Sequence, residues 1–138
     1  ADLAKCTREA ITNSYDNAIL YTDNVLDQVI DTLEREHDYA TAMVYLSDHG
    51  ESLGEKGLYL HGIPYAIAPN EQTHVPMIWW LSTSFSQQQR LDTECLRHRA
   101  NQAASHDNLF HSVLGLLGVV TDVYQQEADI SQACRFDN

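Results

Sequence analysis

Thr41-Ala-Met-Val-Tyr-Leu-Ser47 runs without a break into Asp48-His-Gly-Glu-Ser-Leu-Gly-Glu55, and this junction decides the fold. The first seven residues are a short apolar run rich in β-formers with polar flanks, the pattern of a strand covered on both faces. They are therefore expected to form a central parallel strand. The next eight carry carboxylates, an imidazole and two glycines directly at the strand's carboxyl end, where open α/β sheets bind their ligands.

Outward from this junction the chain alternates helix and strand. Upstream, from Thr7 to about His37, apolar residues recur at Ile11, Tyr15, Ala18, Ile19, Val25, Leu26, Val29, Ile30 and Leu33, while Asp16, Asp23, Asp27, Asp31 and Glu34 fall at other angles. This predicts a long amphipathic helix with a solvated acidic face, capped by Thr7 and closed in polar residues at His37-Asp38. Downstream, Val75 to Leu81 (VPMIWWL) reads as a second strand with Pro76 at its entrance, where a proline breaks no ladder. Trp79 and Trp80 then divide between strand core and surface. Two further helices follow, Asp92 to Ala103 and Asn108 to Leu117, the second with Asp107 or Asn108 as cap and Gly118 just past its end. The last twenty residues lack periodicity and read as irregular. Helix, strand, loop, strand implies α/β layering, and no repeat or Pro/Gly/Ser-rich linker divides the 138 residues, so one continuous domain is expected.

Composition removes several function classes. Twenty Asp and Glu against eight Lys and Arg leave a formal charge of −12, which disfavours any sequence-independent attraction to a phosphate backbone, so no nucleic acid is expected as a partner. Hydrophobic residues at 43% and charged ones at 20% match ordinary globular usage and argue against a disordered acidic tail. No apolar run approaches a membrane span, and ADLAKCTREA is not a signal pattern. Three cysteines, Cys6, Cys95 and Cys134, have no C-x-x-C spacing, which excludes a zinc ribbon and a thioredoxin-type site. Composition alone leaves open three buried thiols or one internal disulfide with the third cysteine paired elsewhere.

The chemistry concentrates in Asp48, His49, Glu51 and His61, which place two carboxylates and two imidazoles within 14 residues. Asp offers a hard anionic oxygen and neutral His a ring nitrogen, the donors zinc accepts at about 2.0 to 2.2 Å. A turn, unlike a strand, lets neighbouring side chains converge on one ion, and a glycine-punctuated loop can bend back to deliver His61. The plainer alternative is that Asp48 caps a turn and His49 fills a polar gap. The other histidines have structural readings: His37 as a solvated helix end, His74 as a loop contact, His98 and His106 as exposed residues, and His111 as a packed core or interface side chain.

The runs YLSDHGESLGE (45–55), YLHGIPYAIAP (59–69) and QTHVPM (72–77), with NSYDN (13–17) and DNLFH (107–111), resemble the phosphoethanolamine transferases that modify lipid A, a family that includes the mobile colistin-resistance enzymes. The DHGESLGE and YLHG-x-PYA-x-AP stretches distinguish this family from the wider alkaline-phosphatase and sulfatase superfamily. The likeness extends over nearly the whole chain.

What the resemblance implies is an α/β fold of the alkaline-phosphatase/sulfatase type, a mostly parallel sheet flanked by helices, of which residues 1–138 would be the C-terminal portion of the periplasmic catalytic domain. The nucleophilic threonine and the membrane helices would lie in a part of the family pattern before Ala1. It further implies zinc-dependent transfer of phosphoethanolamine from phosphatidylethanolamine to lipid A at the periplasmic face of the bacterial inner membrane, giving polymyxin resistance. Carried over residue by residue, Asp48 and His49 are zinc ligands, Glu51 belongs to the active site, and His61 binds substrate or a second zinc. His61 could instead protonate a leaving group, since imidazole titrates in the useful range. For the cysteines the resemblance implies an oxidising compartment, a partner for Cys6 upstream of Ala1, and a Cys95–Cys134 disulfide. Two other functions compete: a phosphodiesterase or sulfatase of the same superfamily that releases its product to water, and a non-catalytic binding or folding piece.

Overall fold

The computed structural model describes residues 3–136. They fall into two compact units interleaved in sequence, one containing the residues up to Glu36 with Ala42–Trp80, the other His37–Thr41 with everything from Leu81 onward. Interleaving explains why no linker composition marks the division.

In the first unit, α1 (Arg8–Glu34) forms as its periodicity predicts, and the Thr7 hydroxyl accepts the Ala10 N–H at 3.2 Å as its cap. Ile11 is buried on it, while Ile19, Leu20, Tyr21, Val25 and Val29 are exposed. The helix stops short of the predicted His37, with Arg35 as C-cap. The strand β1 (Ala42–Leu46) follows as read, but all five residues are half-buried rather than covered on both faces. Next come two short strands, β2 (Ser52–Leu53) and β3 (Tyr59–Leu60), a single turn of helix α2 (Asn70–Thr73), and β4 (Met77–Leu81).

Strands β1 and β4 pair with each other, as do β2 and β3. The Ser47 N–H donates to the Pro76 carbonyl at 3.2 Å, and the Ser82 N–H to the Thr41 carbonyl at 3.0 Å. The end of β1 therefore meets the start of β4 and the reverse, so this pair runs antiparallel. The parallel neighbour expected for β1 is not found among the described residues; the partner it has, β4, follows a loop that reverses the chain. Pro76 stands just before β4 with only its carbonyl used, as a proline at a strand entrance must.

The second unit carries α3 (Thr83–Gln88), α4 (Thr93–Arg99) and α5 (Asp107–Leu116). The predicted helix from Asp92 is shorter than expected: Asp92 caps it through Oδ1, which accepts the N–H groups of Glu94 and Cys95 at 3.0 Å, and it ends before Ala103. The N-cap of α5 is His106, one residue before Asp107 and without a side-chain cap bond; just upstream, Ser105 Oγ accepts the Asp107 N–H at 3.2 Å, and the Asn108 side chain accepts the Ser105 N–H at 2.9 Å. Gly118 follows α5 with φ at +63°, a conformation that favours glycine. Helix α3 was not foreseen, although Ser82 caps it through the Phe85 N–H at 3.1 Å.

The C-terminal tail has no strand or α-helix among the described residues, only single 3₁₀ turns at Gln126–Ala128 and Gln132–Cys134. Its order comes from specific ties. Cys95 and Cys134 form the expected disulfide, with Cα atoms 5.5 Å apart, while Cys6 is free and exposed. Arg135 donates to the carbonyls of Gln89 at 2.8 Å and Gly115 at 2.6 Å. The buried Asp129 carboxylate accepts the Tyr124 hydroxyl and both donors of Ser131 at 2.7 Å. Phe85, Leu91, Leu116 and Cys134 are the buried apolar residues around them. No helix among the described residues is long and apolar enough to cross a membrane.

Candidate metal centre

Asp48 and His49 leave the end of β1 together. Asp48 Oδ1 accepts the His49 N–H at 3.0 Å, and the same bond is the first cause holding the Asp48 carboxyl below the usual carboxylate range, followed by its own N–H and by the His49 charge. The turn-capping alternative is thus partly realised, yet it uses only one oxygen. The Asp48 side chain is 88% exposed, and its Oδ2 stands 3.7 Å from His49 Nε2. On the other side of that ring, Nδ1 lies 3.1 Å from the Gly50 carbonyl. With the proton on Nδ1 donated there, Nε2 keeps its lone pair for a ligand.

Gly50 is required by crowding. Its N–H donates to the Gln72 carbonyl at 3.0 Å, and a Cβ would run into the Glu71 carbonyl oxygen. The chain then folds back as a hairpin, with Ser52 opposite Leu60 and Leu53 opposite Tyr59. Gly54 and Gly57 take φ of +112° and +78° in the turn, where an L side chain is strained. This return places the His61 Nδ1 at 2.7 Å from Glu51 Oε1 and the His61 ring centroid at 3.8 Å from that of His49.

The hairpin is held open at the correct place by Gln72, which is buried. Its amide nitrogen donates to Ser52 Oγ at 2.8 Å and to the Leu60 carbonyl at 3.0 Å, and its amide oxygen accepts the Ile63 N–H at 3.4 Å. One side chain therefore fixes the backbone on both sides of His61. Leu60 itself adopts φ of +62°, a left-handed conformation that costs on the order of 1 kcal/mol or more for a non-glycine residue and persists only where surroundings impose it.

Ligand atoms of His49, Glu51 and His61 all lie within 4.8 Å of one another. The expected metal set was Asp48, His49 and His61. The structure gathers the two histidines with Glu51, and Asp48 adjoins them through His49. Glu51 Oε1 is engaged by His61, but Glu51 Oε2 is buried with no hydrogen-bond partner. An unsatisfied buried carboxylate oxygen is costly, and a cation held with the histidines would satisfy it, so the donor set fits a metal ion.

The remaining histidines do not belong to this group. His37, His74, His98 and His106 are exposed. His111 is half-buried, accepts the Gln125 N–H at 3.1 Å, and packs edge-on to Phe110 and Tyr124, a structural role as read. Sequence reasoning assigned no role to Gln72 or to Gly50. The Gly50 position within DHGE was visible, but a buried amide bridging two strands leaves no mark on local sequence.

Residues 3–119 match the family described as Sulfatase. Phosphoethanolamine transferase EptA of Salmonella typhimurium is 50% identical over 136 residues, covering 97% of this chain and 25% of that protein. Phosphatidylethanolamine transferase Mcr-1 of Escherichia coli is 39% identical over 122 residues, 88% of this chain and 21% of its own length. Among solved structures, the soluble domain of lipooligosaccharide phosphoethanolamine transferase A from Neisseria meningitidis superposes with a TM-score of 0.94 at 47% identity, covering 99% of this chain and 41% of that one. The chain spans about a quarter of the length of the curated relatives it matches. With an α/β layering that superposes on such a domain, and a family match across most of its residues, the chain belongs to the sulfatase family.

Proposed function

We propose that this chain is the C-terminal portion of the periplasmic catalytic domain of a zinc-dependent enzyme that transfers phosphoethanolamine from phosphatidylethanolamine to lipid A, at the outer face of the bacterial inner membrane, and thereby confers polymyxin resistance. The observation that carries this reading is the convergence of His49, Glu51 and His61, with Asp48 beside them, on a chain whose relatives are named for that transfer.

Asp48 and His49 would hold the zinc, and His61, across from them, would bind substrate or a second zinc. Bound there, zinc supplies positive charge against the phosphoryl oxygens as their bonds change. The chain's own groups do the rest. The Gly50 carbonyl fixes the His49 tautomer. Glu51 Oε1 accepts the Nδ1 proton of His61, orients that ring, and leaves the Nε2 lone pair for substrate or a second zinc. The nucleophilic threonine of the resemblance has no counterpart in the cluster. Thr41 stands at the opposite end of β1 from Asp48, so the nucleophile is assigned to the larger part of the domain that this chain does not span.

The test is metal content and lipid product measured together in the full-length enzyme. Asp48→Ala and His49→Ala are expected to abolish transfer and lower zinc, read by mass spectrometry, whereas Glu51→Ala and His61→Ala reduce turnover more than zinc. Wild-type zinc in both of the first two variants would remove the ligand assignment. The family match equally accommodates a hydrolytic sulfatase or phosphodiesterase. That reading is separated by product: ethanolamine phosphate on lipid A supports transfer, and its release to water supports hydrolysis.

A further inference from the structure

Four residues beyond His61 the chain makes a turn that turns its apolar side chains outward. Tyr65 is 86% exposed and Ile67 75%, and Leu60, on the other side of His61, is 55% exposed. The display is built. Tyr65–Ile67 is a 3₁₀ turn closed by the Ile67 N–H on the Pro64 carbonyl at 2.9 Å, and Pro64 and Pro69 bracket it. Gln72 ties the backbone at Leu60 and Ile63. From Gly57 to Asn70 there is no Asp, Glu, Lys or Arg, in a chain whose net charge is −12.

We infer that the Leu60–Ile67 segment is a membrane-contact surface that seats the metal centre on a phospholipid bilayer, with Tyr65 at the headgroup level and Ile67 among the acyl chains. The inference rests on the proposed function: a site that takes a headgroup from one lipid and gives it to another must stand at the bilayer surface. An acidic chain gains nothing electrostatically from an anionic leaflet, so its contact must be apolar and free of carboxylates, and this segment beside His61 is both. Tyrosine suits the membrane interface because its ring is apolar and its hydroxyl polar. Removing one such side chain from water is worth roughly ten- to a hundredfold in partitioning.

The test is sedimentation of the 138-residue chain with vesicles of phosphatidylethanolamine and phosphatidylglycerol. The wild type is expected to partition onto them with little dependence on salt, because the contact is not ionic. Tyr65→Ser/Ile67→Ser should lower partitioning at least tenfold, while Val120→Ser, which alters a side chain 99% exposed in the other unit, leaves it unchanged. Hydrogen exchange across residues 58–70 should slow when vesicles are added. Absence of wild-type binding, equal binding by the double variant, or unchanged exchange would overturn the surface, and the same variant losing thermal stability would assign the segment to a protein contact instead. None of these readouts needs turnover, so the zinc and lipid-product measurements on His49→Ala judge the proposed function separately.

Discussion

Gln72 shows how much one side chain can decide. Its amide spends three hydrogen bonds on Ser52, Leu60 and Ile63, and Gln72→Ala would strand a buried serine hydroxyl and a carbonyl at a cost of about 1–3 kcal/mol. The expected result is a lower midpoint in denaturant, together with turnover reduced further than metal content, since His61 loses its support while His49 does not. Asp48, His49, Glu51 and His61 were legible because ligand chemistry is written in residue type and spacing. Gln72 was not, because its partners are 20, 12 and 9 residues away and only the folded chain brings them together. A second residue-scale outcome concerns Tyr124. Burial, then its bond to the Asp129 carboxylate, push its hydroxyl up to about 12 from 10.0. The folded state therefore holds this proton more tightly than the unfolded one, and the associated stability, complete below pH 10, is lost as pH rises from 10 towards 12. Alkaline unfolding followed by tyrosinate absorbance should show that loss, and Tyr124→Phe should flatten it.

At the scale of elements, the legible pieces are those long enough to repeat a period. The stripe on α1, the apolar runs of β1 and β4, and the turn signal at Gly118 all lie where the sequence indicates. Two-residue strands cannot display alternation, so the β2–β3 hairpin was visible only as a glycine-rich loop able to bend back, and α3 is too short to show a face. The antiparallel β1–β4 pairing was not legible, because apolar continuity speaks of burial and says nothing about which neighbour supplies it or in which direction that neighbour runs. The tail illustrates a different kind of order, one made by a cross-link and polar ties. The Cys95–Cys134 bond closes a separation of 39 residues, for which chain entropy gives roughly 4 kcal/mol. Cys134→Ser, or added reductant, should lower stability to unfolding by a substantial part of that amount. Non-reducing peptide maps should recover Cys95 joined to Cys134, and exchange protection should fall first around Arg135.

For the whole molecule, the apolar surface tells more than the core. Five apolar residues are buried among those described, against a long series of exposed ones that includes Ile19, Val25 and Val29 on α1, Phe110 on α5 and Leu117 just past its end. A chain spanning a quarter of its relatives' length with this surface is expected to work as part of a larger domain. Accordingly, the 138-residue chain with added zinc should release no phosphoethanolamine from phosphatidylethanolamine in a radiolabelled-headgroup assay. Zinc-dependent release by this chain alone would move the nucleophile into these residues.

The confinement of all four site residues to one 14-residue stretch also bears on the order of events in time. Glu51 and His61 are ten positions apart, and a loop of that length closes in about 10–100 ns, whereas contacts between distant segments must first meet a larger entropic barrier. The cluster and the Gln72 that clamps its turn all belong to the first unit. Under the proposed function, zinc capture by this short stretch is then expected to come early in folding, before the chain has paired its distant segments.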